Sequence, residues 1–162
     1  MISFHRAQVK DVAEIKKLLF ETWTKTYTDA YSPEAIQTIT SEWHSIELLT
    51  KQIQDGDNYF GISRDEDKII AMCNARITHD GTIINIQRLH VLPSYQRKGI
   101  GSQLIQEALK AFPGAVGIDL EVERRNRQAY TFYRKHGFKE VGEKVFEVKG
   151  IRIPCIIMEK AL

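Results

Sequence analysis

The chain has 162 residues, a length that fits a single domain, 1–162, with a core large enough to need neither disulfides nor a structural metal. Charged residues make up 27% and the net charge is only +2, which argues against a nucleic-acid or membrane-surface protein, so any basic site is local. Cys73 and Cys155 lie far apart in apolar runs, without CxxC or His/Cys ligand spacing, and read as reduced buried thiols with no metal. No basic-then-apolar leader follows Met1 and no apolar run approaches membrane-spanning length, so the expected location is the cytoplasm.

"ISFHRA" reads as an opening strand. From Asp11 the apolar residues Val12, Ile15, Leu19 and Trp23 step by three and four, the mark of an amphipathic helix. Ser32 and Pro33 open a second helix as cap and first helical residue. Ser45 opens a third, with Ile46, Leu49 and Ile53 on one face and a stop at Gly56. Three β-branched, aromatic-rich runs then cover about 58–91, with Asp80-Gly81 signalling a hairpin, and predict an antiparallel meander. Ile100, Leu104, Ile105, Leu109 and Phe112 fit a helix, and Ala115–Val122 a buried strand. Strand, helix, strand at this spacing predicts a parallel βαβ crossover. Asn126 caps another helix, Gly137 ends it, and two strands meeting at Lys149-Gly150 close the chain. The expected class is α+β (mixed α/β), with about seven strands and four to five helices.

"QRKGIGS", Gln96–Ser102, stands between the last strand of the meander and a helix. Glycine lets the backbone curl and present N–H groups, a helix N-terminus adds unsatisfied donors, and Arg97 and Lys98 add charge. Such a loop is a cradle for phosphate or pyrophosphate. No Lys-Ser/Thr pair follows the second glycine and there is no third glycine, so Walker and dinucleotide fingerprints both fail. A plain glycine turn with solvated bases is the competing reading of these residues alone.

The flanks carry a resemblance. "LHVLPSYQRKGIGSQLI", followed by "LEVERRNRQAYTFYRKHGF", is similar to the GNAT family of N-acetyltransferases. Gln96, Gly99 and Gly101 match its acyl-CoA signature, and Asn126, Ala129, Phe132, Tyr133, Gly137 and Phe138 match its later half; "IIMEKAL" resembles its last strand. The likeness runs from about residue 58 to the C-terminus. It implies a GNAT-like sheet and acetyl-CoA as co-substrate, with no metal. The pyrophosphate would lie on the backbone of Arg97, Lys98, Gly99, Ile100, Gly101 and Ser102, with Gln96 at its edge. The pantetheine arm would run beside Leu89, His90 and Val91, with Asn126 opposite. Tyr133 matches the family position whose phenol reaches the thioester sulfur. Tyr130, three residues before it, reads as packing beside the cofactor.

Acetyl transfer also needs a neutral amine, and the resemblance leads one to expect a carboxylate on the strand before the loop. Asn85 and Gln87 stand there instead, and neither titrates, so they are candidates for aligning a catalytic water. Strict alternation along "IINIQRLHV" sets His90 on the face opposite both, so it reads as a surface or half-buried histidine before it reads as the base, and bulk solvent is the other acceptor for the proton. By the same resemblance, residues 20–43 and 144–154 shape the acceptor site. Trp23, Tyr27 and Tyr31, near Glu21, Asp29, Glu34 and Glu42, either receive a cationic amine or form a buried aromatic stripe. "ERRNR" either touches a cofactor phosphate or opens a solvated helix. The reading is a monomeric or homodimeric N-acetyltransferase for a small amine such as a polyamine, or for a peptide amine, without nucleic-acid or membrane partners. The rival readings are a non-catalytic acyl-CoA-binding regulatory domain and a nucleotide-binding module.

Overall fold

The computed structural model describes residues 1–162. In chain order the elements are β1 (Ile2–Arg6), α1 (Val12–Tyr27), α2 (Pro33–Trp43), α3 (Ile46–Gln54), β2 (Asn58–Asp65), β3 (Lys68–Ile77), β4 (Ile83–Val91), α4 (Ile100–Ala111), β5 (Gly117–Glu123), α5 (Arg127–Lys135), β6 (Lys139–Val148) and β7 (Ile151–Ala161). The helices begin where capping chemistry allows. Ser32 Oγ accepts from the Ala35 amide and Ser45 Oγ from the Leu48 amide, both at 3.1 Å, satisfying donors that the first turn leaves open.

The strands form one seven-stranded sheet in the order β1-β2-β3-β4-β5-β7-β6. β1 pairs antiparallel with β2, so the predicted three-strand meander is extended by the opening strand. β4 and β5 are the parallel pair, joined through α4. The closing hairpin then folds so that β7, not β6, lies against β5. Its turn is the two residues Lys149 and Gly150, at φ 47° and 83°, the left-handed pair that matches strand twist.

Two irregularities in β4 shape the molecule. Its register against β3 passes from Asn74↔Arg88 to Ala75↔Ile86, so Gln87 is an extra, unopposed residue. Its pairing with β5 ends at Ile86↔Leu120, and beyond that point β4 keeps β3 on one side and has no strand on the other. The bulge also corrects the expected facing. One added residue flips the parity of everything after it, so His90 shares the face of Asn85 instead of opposing it. Arg88 and His90 point to α1–α3, where they meet His44 and Thr22, while Leu89 faces Gly101 and the Phe132 ring under α4 and α5.

The apolar core has two parts. The larger joins α1, α3 and α4 to the sheet through fully buried residues such as Ile15, Leu19, Leu49, Ile70, Met72 and Leu104. The smaller joins the end of α1 and α2 to the closing hairpin: Trp23, Tyr27, Tyr31, Ile36, Ile39, Val148, Ile153 and Cys155. The aromatic stripe read from the sequence is therefore buried, and Glu21, Asp29, Glu34 and Glu42 stay on the surface away from it.

Candidate active site

A cleft of about 680 Å³ opens where β4 and β5 diverge. Its lower edge is the loop before α4. Arg97 and Gly99 both take positive φ, 63° and 80°. For Arg97 that conformation carries strain, which the surrounding structure has to hold. Gly99 is different: open space surrounds the position a Cβ would take, so glycine serves the backbone conformation there. Gly101 serves proximity, since a Cβ would stand 3.4 Å from the Phe132 ring. The result is a run of donors with nothing to bind. None of the backbone amides from Arg97 to Ser102 donates to any group of the chain; the first to do so is Gln103, to the Gly99 carbonyl at 3.0 Å. Successive free N–H groups at a helix N-terminus make an anion cradle.

Leu89, His90, Val91, Gln96, Arg97, Gly99, Ile100, Gly101, Ser102, Asn126 and Tyr133 all line this cleft. Gln96 is itself tethered, donating to the Val91 carbonyl at 3.0 Å and accepting from Gln128 at 2.9 Å. Asn126 accepts from the Ala129 amide as the cap of α5 and donates to the Tyr27 hydroxyl at 3.2 Å, which carries the cleft wall over to α1. The amide of Lys98 belongs to the cradle, but its side chain and that of Tyr130 stand outside the cleft lining. Lys98 lies with its ammonium 5.4 Å from the Tyr95 ring, and Tyr130 donates to Glu140 on β6 at 3.0 Å under the guanidinium of Arg127.

Asn85 and Gln87 also stand outside the cleft lining. Asn85 donates to Asp119 on β5 at 2.7 Å, and Gln87, displaced by the bulge, accepts from Asn74 at 2.8 Å. These bonds brace the strands and hold both side chains away from the cleft.

Tyr133 is buried at the inner end of the cleft, and its hydroxyl has no hydrogen-bond partner in the chain. Burial raises its pKa above the ordinary 10, with Cys73 and Tyr27 nearby adding to the effect. Its proton is thus held at any pH where the enzyme would work. Cys73, fully buried, is pushed up to about 12 by the same cause, and Cys155, buried in the smaller cluster, likewise. Neither is a thiolate available for attack.

A further wall of the cleft comes from α1, through Thr22, Thr26 and Tyr27, together with His90. Beneath it β5 turns Asp119, Glu121 and Glu123 to one face, the face on which Tyr31 meets Glu123. Glu123 is 5% exposed, where one of the two readings of "ERRNR" has a solvated helix start. Its carboxylate accepts from the Arg125 amide at 2.7 Å, from Arg125 Nε at 3.1 Å and from the Tyr31 hydroxyl at 3.3 Å. Glu121 is half-buried, one residue past the last β4–β5 pair, and takes part in no ion pair. Sequence reading missed both because they lie in a charged run; the signal was their period-two alternation with Leu120 and Val122.

Behind this wall lies a further set of residues invisible to local pattern. Arg88, 9% exposed, donates to His44 Nδ1, Gln52 Oε1, Asn74 Oδ1 and the Trp43 carbonyl at 2.6–3.0 Å. It is a buried cation held by neutral acceptors alone. Burial, then the Arg88 charge, drives His44 down to about 2, and His90 to about 4.

A family model described as an acetyltransferase (GNAT) domain matches residues 27–162. The chain is 28% identical over 145 residues to a spermidine N(1)-acetyltransferase of Thermoplasma acidophilum, an alignment covering 85% of this chain and 88% of that protein. Over 72 residues it is 32% identical to the peptidyl-lysine N-acetyltransferase YjaB of Salmonella typhimurium, covering 44% and 48%. The crystal structure of PaiA N-acetyltransferase from Thermoplasma acidophilum in complex with coenzyme A superposes with a TM-score of 0.85 at 28% identity, covering 100% of this chain and 99% of that one. With the splayed β4–β5 pair and the open amides before α4, these matches lead to one conclusion: the chain belongs to the GNAT family of acetyltransferases.

Proposed function

We propose that the protein, acting as one domain in the cytoplasm, transfers the acetyl group of acetyl-CoA to a primary amine of a small polycation by direct attack. The observation that carries this is the run of unpartnered amides from Arg97 to Ser102 at the mouth of a cleft that ends on the free phenol of Tyr133. The amides, with Arg97 and Arg127 beside them, suit the cofactor's diphosphate. Past Ile86 the open edge of β4 suits its amide-bearing arm, which can add there as a strand would.

Neutralising the acceptor is the costly step. An amine with a pKa near 10.4 is uncharged in about one molecule of 2,500 at pH 7, a penalty of about 4.6 kcal/mol. The α1 wall contributes no cation, and the carboxylates of β5 lie on the same face of the sheet outside the cleft lining, a field that draws an ammonium, while desolvation inside the cleft favours its neutral form. Of these, Glu121 is the one whose carboxylate has no hydrogen-bond partner; it stands outside the cleft lining, and we assign it to attracting the ammonium at a distance. Tyr133 then donates to the departing sulfur. The thiolate leaves into the same desolvated end as the phenol, so burial raises the basicity of both together. The similarity to a spermidine acetyltransferase supports a polyamine as acceptor; the shorter likeness to a lysine acetyltransferase supports the same primary-amine chemistry.

The test is thermal stabilisation by acetyl-CoA set against ATP and NAD, followed by thiol release across a panel of polyamines, lysine peptides and N-terminal peptides. Stabilisation by acetyl-CoA alone, with fastest release on polyamines, is expected. Stabilisation by ATP or NAD in its place, or acetyl-CoA binding without turnover on any amine, would reject the proposal.

A further inference from the structure

On the acceptor wall one side chain has a lone pair with nothing to bind. The Thr22 hydroxyl has a single hydrogen, which it donates to the Leu19 carbonyl at 3.1 Å. The same oxygen lies 3.1 Å from His90 Nδ1. With the Thr22 hydrogen on the Leu19 carbonyl, the hydrogen between Thr22 and His90 is assigned to Nδ1, and Nε2 is left as the acceptor. Nε2 makes no hydrogen bond, and it is not among the sealed polar atoms without partners, which are His44 Nε2, Asn58 Oδ1 and Ser63 Oγ. It therefore keeps access to the cleft that His90 lines.

Its surroundings keep it unprotonated. From β4 it faces Arg88, from the α2–α3 junction the uncharged ring of His44 at 6.4 Å, from β3 Met72 in register, and from α1 the Thr22 hydroxyl. Arg88 is the charged group of this set, and its sign opposes a proton on His90. Burial acts the same way, and together they bring His90 down to about 4.

We propose that His90 is a catalytic residue of the acetyl transfer described above, its Nε2 accepting a hydrogen bond from the N–H of the attacking amine. The proposal rests on that reading of the site. The amine reaches His90 already neutral, because a group titrating near 4 does not deprotonate a free ammonium. The hydrogen bond turns the amine's own lone pair toward the thioester carbon. As the C–N bond forms, the carbonyl pair moves to oxygen and the nitrogen becomes positive. One N–H proton passes through Nε2 to water in the cleft. The oxyanion then collapses, the C–S bond breaks with its pair on sulfur, and the sulfur takes its proton from the Tyr133 side. The products are the amide and coenzyme A thiol. Gln87 is what makes this facing possible, since without its bulge His90 would point to α4.

Two substitutions separate chemistry from packing. His90→Asn keeps a donor for Thr22 at the position of Nδ1 but has no acceptor at the position of Nε2. His90→Gln reaches that position with an acceptor oxygen. With acetyl-CoA and the best amine of the panel, His90→Asn is expected to lower kcat about 100-fold, the low end for a positioned proton acceptor, with acetyl-CoA affinity and melting temperature near wild type. His90→Gln is expected to recover at least about tenfold of that loss. Wild-type turnover in His90→Asn, or equal loss in both variants, overturns the role of His90 while leaving acetyl transfer intact. No turnover by the wild-type protein on any amine overturns both.

Discussion

Along the α4 wall of the cleft the amides of Arg97 to Ser102 bind nothing in the chain, whereas behind the α1 wall Arg88 binds His44, Gln52 and Asn74. The first region holds its polar groups open for a ligand. The second ties them to one buried cation, with His44 Nε2 left unpartnered, and what it presents to the cleft is a consequence: a neutral, oriented His90. A backbone cradle recruits an anion through geometry that a few residues encode locally. An acceptor wall needs side chains aimed from four elements, and each must be tied from behind to hold its aim.

Breaking the closed region should have the largest effect. Arg88→Leu removes the donor from His44 Nδ1, Gln52, Asn74 and the Trp43 carbonyl at once, and should cost about 3 kcal/mol of stability in denaturant unfolding. An unchanged midpoint would mean that the network does not hold the α2–α3 junction. Tyr133→Phe tests the inner end of the cleft. Turnover should fall about 100-fold, or about 2.7 kcal/mol, with acetyl-CoA affinity unaltered; normal turnover removes the phenol from the mechanism.

Acid sharpens the comparison further, because the closed region titrates. The unfolded chain takes up a proton on residue 44 near pH 6.5, which folded His44 refuses until about 2. Stability from this group is complete above 6.5 and is lost as pH falls toward 2. At pH 5 the loss is about 2 kcal/mol from His44, and His90 adds to it down to about 4. His44→Asn, which still offers Arg88 an acceptor, should flatten that limb of a stability–pH curve; an unaltered slope would rule out His44 as its source. The smallest effect belongs to the open region. Gly99→Ala meets no neighbour, so its cost is the left-handed conformation alone, about 1 kcal/mol, read as weaker acetyl-CoA binding and a slightly lower melting temperature.

The open region was legible because it is local. Two glycines after an apolar strand, two bases, and a capping Asn before an apolar helix state their conformation within a few residues. The acceptor side was not. Alternation along β4 was the right rule, but the extra residue at Gln87 reversed it, and nothing in "IINIQRLHV" announces a bulge. The charged neighbours of Glu123 left a solvated helix start open as one of two readings, whereas Tyr31, from far earlier in the chain, meets it beneath the surface.

By itself, then, the sequence determined the element order, the glycine loop and the family, since periodicity, caps and turn residues act over short stretches of chain. Only the tertiary structure decided which side chains reach the cleft. Strand parity, the burial of Arg88 and the contact of His90 with Thr22 depend on segments distant in sequence, and a one-residue shift in a ladder is enough to exchange the two faces of a strand.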